Sequence, residues 1–416
     1  MKITIHRGSD QIGGCITEYE LNGWKLFVDY GEQLPGSPVS EKPLQIDGLN
    51  TGDISKSTLL ITHYHKDHVG KIYELPEDLP IFMGKISKDI LSELSNHRSS
   101  VSQEDLRLAK KVETVKTFNA GETLEIGDFK ITPVTLDHSA FDAYAFKIVG
   151  GSYAVFHTGD FRTHGFRSGK LTKVIDKFVG QVDYVVCEGT NISRPDSTSK
   201  SEQELQKDFE QSFKDNKFNI VYLSSTNIDR LFSLYHAALR AQRPFYVDSF
   251  QKKIMDIVTQ SDNIWSRSQL YQYGFYKPVG LKLDMWGKGF LYNEKFESVL
   301  NDKGYVLIAR ANKKYDNLIL KMPKEDRRIY LSMWDGYLKP ECKAYNSDIA
   351  KSVGKNYLYW HTSGHCDMEN LRNLFEILKP KTIIPIHTDN PLKFAEKFSD
   401  KWTVVLLKDG ESFSSY

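Results

Sequence analysis

Six residues, His63-Tyr64-His65-Lys66-Asp67-His68, constrain this chain more than any other stretch, because three imidazoles and a carboxylate follow directly on the apolar run Leu59-Leu60-Ile61-Thr62. On an extended segment alternate side chains share a face, so His63 and His65 are expected to point one way. Asp67 and His68 can then turn toward a second centre as the chain passes through Val69-Gly70 into a helix. Imidazole combined with carboxylate suits zinc, or manganese and iron, better than calcium or magnesium. The expectation is a site for two divalent metal ions, zinc first and manganese second. A histidine-rich surface loop is the plainer alternative, but twelve histidines in 416 residues make three within six a poor match to chance.

A chain of 416 residues exceeds one ordinary core, so two lobes are expected. Hydrophobic content of 40% and charged content of 26% fit a soluble globular enzyme. No stretch approaches the roughly twenty apolar residues that a bilayer span needs, and residues 1–6 begin a strand rather than a signal peptide. Cys15, Cys187, Cys342 and Cys366 are scattered, with no C-x-x-C pair, which points to reduced thiols, a cytoplasmic protein and no zinc site built from cysteine. The net charge of +1 argues by itself against an avid nucleic-acid binder. Its distribution is uneven, with a basic excess over residues 196–345 and an acidic excess elsewhere. An acidic part that holds cations, joined to a mildly basic part, fits a metal centre facing a gripping lobe.

The first ~190 residues read as short strands near 2–6, 17–21, 24–29, 59–62, 129–134, 143–149, 154–157 and 184–187, with Asn22-Gly23 and Gly150-Gly151 as hairpin turns. Helical stretches are expected at 69–74, 87–95 and 102–112. A Ser/Thr/Asp/Pro-rich connector then covers 191–200. Ser201 with Glu204 reads as a capping box, followed by Leu205, Phe209 and Phe213 on one helical face. Strands near 220–223, 245–247, 305–309 and 328–332 alternate with helical stretches, which reads as βαβ units on a parallel sheet. After about residue 350 the first texture returns, with a strand at 357–360, a helix from Asp367 and a strand at 382–386 that delivers His387.

H-x-H-x-D-H after a strand resembles the metallo-β-lactamase superfamily. That resemblance implies an αββα sandwich, of class α+β / α/β, in which two stacked sheets place metals along one edge. The expected organisation is a discontinuous metal-binding domain, 1–195 and 346–416, interrupted by an α/β insertion, 196–345. The resemblance also implies the remaining ligands. His138, in Asp137-His138-Ser139, joins His63 and His65; Asp160, in His157-Thr158-Gly159-Asp160, bridges both ions; His387 closes the site on Asp67 and His68. Taken singly, His138 or His387 is more often a structural histidine and Asp160 a turn residue. Asp29, in Val28-Asp29-Tyr30-Gly31, matches the superfamily's first motif and is expected to accept a hydrogen bond from a ligand histidine. His157 and His164 match no ligand position. Two cations about 3.5–4 Å apart lower the pKa of a shared water to near 7, giving a hydroxide able to attack a phosphodiester, ester or amide.

Two further positions select the substrate. Glu188, in Cys187-Glu188-Gly189-Thr190-Asn191, and His365, in His361-Thr362-Ser363-Gly364-His365, resemble the acidic residue and histidine that mark the β-CASP nucleases. Arg7-Gly8-Ser9-Asp10-Gln11-Ile12-Gly13-Gly14 and the ending Pro385-Ile386-His387 are most similar to ribonuclease J. A carboxylate beside an imidazole raises the histidine's pKa and keeps a proton for the leaving 3′-oxygen, so Glu188 with His365 is expected to act as general acid beside the catalytic Asp67 and His68. A buried polar pair fixing a hinge is the alternative. The resemblance further implies that His361, Ser363 and His365, with Ser224, Ser225, Asn227 and Arg230 at a strand-to-helix junction, hold RNA phosphates. Helix capping by Ser and Asn is the plainer reading of that junction. Tyr271-Gln272-Tyr273-Gly274-Phe275-Tyr276 offers rings for base stacking, with core packing the plainer role for most of the chain's Phe and Tyr residues.

The chain departs from the family in carrying Glu at the acidic position and in having 29 residues after His387, which reads as a short form without the further C-terminal domain. The expected activity is hydrolysis of single-stranded RNA, as a 5′ exonuclease, an endonuclease or both. DNA is the rival substrate, a small-molecule metallo-hydrolase the rival enzyme, and a decayed RNA-binding protein the rival class. A homodimer is expected and a membrane partner is not.

Overall fold

The computed structural model of the protein describes residues 1–35, 37, 44–194, 200–260, 279–282, 290, 291, 298 and 302–414. Two compact units divide the chain. One comprises Met1–Thr163, Arg167–Thr198 and Gly364–Tyr416, the other His164–Phe166 and Ser199–Ser363. The aromatic run at 271–276 lies outside the described residues.

The first unit holds two seven-stranded sheets. One contains, in spatial order, β21 (Glu411–Ser414), β1 (Lys2–Arg7), β2 (Ile16–Leu21), β3 (Trp24–Val28), β4 (Ser57–Leu60), β5 (Ile81–Gly84) and β6 (Lys116–Phe118). The other contains β20 (Thr403–Val404), β19 (Thr382–Ile386), β11 (Tyr184–Glu188), β10 (Tyr153–His157), β9 (Ala143–Gly150), β8 (Phe129–Leu136) and β7 (Leu124–Ile126). Side chains alternate between faces along a strand, and the core follows that period. Ile3, Ile5, Leu26, Val28 and Leu60 of the first sheet meet Ile131, Phe146, Ile148, Val155, Val186 and Ile384 of the second. Their neighbours Val185 and Ile383 face the other way, onto Val174, Ile175, Leu371, Leu374, Phe375 and Phe394 of the covering helices. Continuous apolar runs such as Tyr184-Val185-Val186-Cys187 are therefore buried on both faces. This is the α+β sandwich of the metallo-β-lactamase fold.

Strand direction decides where the polar residues gather. β3 and β4 are parallel, as are β10, β11 and β19. β8 and β10 are each antiparallel to β9, so they share a direction. Asp29, His63, His138, Asp160, Glu188 and His387 all lie at or just beyond the carboxyl ends of these strands, the edge where open α/β sheets place their ligands.

Residues 69–74 do not form one helix. A single turn covers Lys66–Val69 and a 3-10 turn Ile72–Glu74. His65 is extended, and its carbonyl accepts from the N–H groups of both His68 and Val69, starting the helix three residues early. Asp67 and His68 consequently sit on that helical turn, and His63 and His65 precede it. The short strands β5, β6 and β7 and the helix Leu171–Phe178 had no clear signature in the sequence.

The second unit is built on a third sheet: β15 (Phe290–Leu291), β14 (Val279–Lys282), β13 (Phe245–Val247), β16 (Tyr305–Ala309), β12 (Phe218–Tyr222), β17 (Arg327–Leu331) and β18 (Leu358–Tyr359). Every pairing in it is parallel. The capping box of Ser201 and Glu204 starts the helix Glu202–Asp215, which buries Leu205, Phe209 and Phe213. No helix among the described residues is long and apolar enough to cross a membrane. All four cysteines are free thiols.

Candidate metal centre

Among the described residues three overlapping groups of donors form at the strand ends of the first unit, the third being Asp160, Glu188, His365 and His387. The ligand atoms of His63, His65 and His138 lie within 4.8 Å of one another, and so do those of Asp67, His68, Asp160 and His387. Asp160 joins them. Its Oδ2 is 3.0 Å from His68 Nε2, 3.7 Å from His387 Nε2 and 4.0 Å from His138 Nε2. His138 Nε2 is 3.3 Å from His65 Nδ1, and His387 Nε2 is 3.3 Å from Asp67 Oδ2.

The far nitrogen of four of the five rings is held by the protein. His68 Nδ1 donates to Asp29 Oδ2 at 2.7 Å, the contact expected of Asp29. His138 Nδ1 donates to the Gly364 carbonyl at 2.6 Å. The Thr62 hydroxyl is 2.8 Å from Asp29 Oδ2, to which it donates, and therefore accepts from His63 Nδ1 at 3.0 Å. The Thr190 hydroxyl donates to the His387 carbonyl and accepts from His387 Nδ1 at 2.7 Å. In these four rings Nε2, not Nδ1, faces the group. His65 alone turns Nδ1 inward. Thr62, Thr190 and Gly364 were not singled out in the sequence; Thr62 and Thr190 each adjoin a recognised motif, whereas a backbone carbonyl leaves no signature.

Burial holds His63 and His138 well below the usual imidazole pKa and His65 down to about 4, so this group is neutral and ready to ligate. At His68 burial also opposes the charged form, but Asp160, Asp29 and Asp67 outweigh it and raise the pKa. His63 Nε2 and Asp160 Oδ1 are buried without a hydrogen-bond partner. Orphaned buried atoms of this kind cost several kcal/mol unless something else satisfies them, on the order of 1–3 each and more for a charge. A nitrogen- and oxygen-only donor set fits divalent metal.

Glu188 and His365 come together beside this centre. His365 Nδ1 is 2.8 Å from Glu188 Oε2 and 3.8 Å from Asp160 Oδ2. Burial works against the imidazolium, but Glu188 and Asp160 prevail and raise the His365 pKa. Glu188 Oε1 accepts from the Phe161 N–H, which fixes the carboxylate. His157 is buried against the Tyr19 hydroxyl at 2.9 Å, and His164 donates to the Ser363 carbonyl.

The expected phosphate loop lies in the second unit. The expectation for Arg230 is overturned there. Its guanidinium is fully buried, paired with both Glu202 oxygens at 2.9 and 3.1 Å and bonded to Ser332 Oγ and the Trp360 carbonyl. A bidentate carboxylate partner is already in place, so Arg230 anchors the helix Ile228–Arg240 and is closed to an incoming phosphate. Asn227 caps that helix by accepting from the Arg230 N–H, Ser224 bonds Thr226, and Ser225 accepts from Gln251. His361 is half-buried, with its ring 6.1 Å from that of Tyr359.

The sandwich and its strand-end histidines and aspartates define a metallo-β-lactamase-fold protein. Residues 49–206 match the beta-lactamase superfamily domain and residues 357–407 the Zn-dependent metallo-hydrolase RNA specificity domain. These matches and the relatives below support a β-CASP, ribonuclease J-like protein. It is similar to ribonuclease J of Sinorhizobium meliloti, 23% identical over 87% of this chain and 63% of that protein. It is likewise similar to ribonuclease J of Helicobacter pylori, 22% identical over 93% and 56% respectively. The chain thus spans less than two thirds of the length of each. A crystal structure of a protein of unknown function from Enterococcus faecalis superposes with a TM-score of 0.74 over 99% of both chains at 18% identity, which shows the shared fold.

Proposed function

We propose that this chain is a metal-dependent ribonuclease that hydrolyses phosphodiester bonds of single-stranded RNA in the cytoplasm, as a 5′ exonuclease, an endonuclease or both. The observation that carries it is the placement of Asp160 Oδ2 within 4.0 Å of His68, His138, His387 and His365, which unites two donor groups and a Glu188–His365 pair in one centre. The similarity to ribonuclease J and the match to an RNA specificity domain support the choice of RNA.

In this reading His63, His65 and His138 would hold one cation, zinc or manganese, and Asp67, His68, Asp160 and His387 a second. Such ions supply an activated water and positive charge against the developing negative charge of the phosphate. Asp29, Thr62, Thr190 and the Gly364 carbonyl orient the rings that do the holding. Protonated His365, stabilised by Glu188, gives its proton to the leaving 3′-oxygen. Ser224, Ser225, Asn227, His361 and Ser363 contact RNA phosphates, without Arg230. Residues 196–345 form the inserted domain of a β-CASP enzyme, and the active form is a homodimer.

End-labelled RNA oligomers bearing a 5′-monophosphate, triphosphate or hydroxyl, with a DNA strand of the same sequence, test this. Mononucleotide release favouring the monophosphate establishes 5′ exonuclease action, and internal cuts indifferent to the end establish endonuclease action. No cleavage of any RNA by protein that carries its metal, with Asp67→Ala as the blank, would refute the reading.

A further inference from the structure

Asp67 and His387 are 320 residues apart, yet their donor atoms meet at 3.3 Å. The residues that bring them there lie in neither motif. The glycine-bearing loop after β1 touches both. Gly8 O accepts from the His387 N–H at 2.7 Å, and Gln11 bridges to Thr388. On the other side, the Gly14 N–H donates to the Asp67 carbonyl at 2.9 Å. The chain beyond β3 closes the same turn from behind, with Tyr30 N–H on His68 O at 2.9 Å and Glu32 N–H on Lys66 O at 2.8 Å. Two glycines make this approach possible. Gly13, at φ +79°, would place a Cβ 2.9 Å from Asp67 Cβ, and a Cβ on Gly31 would fall 1.7 Å from the Asp67 carbonyl oxygen.

Arg7 joins the two halves of that wrapping. Its Nε donates to Gly14 O and its Nη2 to Gly31 O, each at 2.5 Å. One planar guanidinium therefore spans the loop that touches His387 and the segment pressed on Asp67, with the hydrogen-bond fork that only arginine offers. Among the described residues, no hydrogen bond of the Arg7 side chain reaches the loops of His63, His65 or His138.

We propose that Arg7 is a positioning residue for one cation site of the two, that of Asp67, His68 and His387: by clasping Gly14 to Gly31 it sets the separation of Asp67 and His387. The proposal rests on the two-cation reading above. Its consequence is asymmetric. Loosening the clasp weakens the Asp67–His387 site and spares the three-histidine site.

The test is calorimetric titration of chelator-stripped protein with Zn²⁺ and with Mn²⁺, comparing wild type with Arg7→Met and Arg7→Lys. Wild type is expected to show two classes of site. Arg7→Met should weaken one class by about ten- to a hundredfold, the range for residues that orient ligands, and leave the other within about twofold. Arg7→Lys should recover part of that loss, since an ammonium reaches one carbonyl but not two in plane. RNA turnover by Arg7→Met should fall at limiting metal and recover on adding metal, with KM for RNA unchanged. If Arg7→Met does not fold, Gly13→Ala, which crowds Asp67, should weaken the same class. Equal weakening of both classes, or of neither, overturns the proposal. A single class of site in the wild type overturns the two-cation reading and this inference with it.

Discussion

Glu188 Oε2 lies 2.8 Å from His365 Nδ1, although 177 residues separate the two in the chain. That contact brings the end of β11 against the segment leading to the helix Met368–Leu378. The carboxylate raises the histidine's pKa, so the pair retains a proton at a pH where a lone imidazole has begun to lose it.

A general acid must be protonated, so activity should fall as pH rises through the His365 pKa. Glu188→Gln removes the main charge that raises it. The alkaline limb of the pH–rate profile should therefore move to lower pH, and His365→Ala should lower single-turnover rates by about 10²–10⁴ with metal content unchanged. A drop in bound metal on His365→Ala, measured by mass spectrometry, would show His365 to be a ligand instead.

Asp67→Ala removes a donor that only the second group contains. Its expected effect is a loss of at least about a thousandfold in kcat, with one metal fewer per chain and the fold intact by circular dichroism. Retention of both metals with near-normal turnover would rule out the assignment.

Arg230 should matter to stability and not to RNA. Arg230→Met strands the buried Glu202 carboxylate, which costs about 3–5 kcal/mol in urea unfolding. The double variant Arg230→Met/Glu202→Leu should be markedly less destabilised than the single one. A salt-dependent loss of RNA affinity without loss of stability would restore the phosphate role.

His157 is buried and its pKa is pushed down to about 3 by burial, with the neighbouring His68 charge adding to it. The folded state keeps it neutral while the unfolded chain protonates it below about 6.5. The unfolded state then binds more protons, so its contribution to stability falls as pH drops below about 6.5, by about 2 kcal/mol at pH 5. His157→Asn should flatten the stability–pH curve over that window. Parallel curves for the two proteins would contradict the assignment.

Much of the site was legible because its residues sit where strands stop. Apolar runs ending in Thr62, Leu136 and Ile386 mark the points at which His63, His138 and His387 leave the sheet. Asp29 was legible for the same reason. Arg230 misled because a strand–Ser/Asn–helix junction looks alike whether it greets an anion or caps a helix, and the difference is the distant Glu202. Thr190 and Gly364 were missed because what they do depends on His387 and His138, which lie 197 and 226 residues away.

From composition, apolar period and motif alone came the donor types, the alternation that aims His63 and His65 together, and the change from mixed strands to βαβ units. Those features act over a few residues, so local order carries them. The meeting of Asp160 with both histidine groups, the Glu188–His365 contact and the loss of Arg230 to a buried pair came only with the tertiary structure. Each depends on strand direction and register across hundreds of residues, and pairing in space, unlike period, has no local trace in the order of the residues.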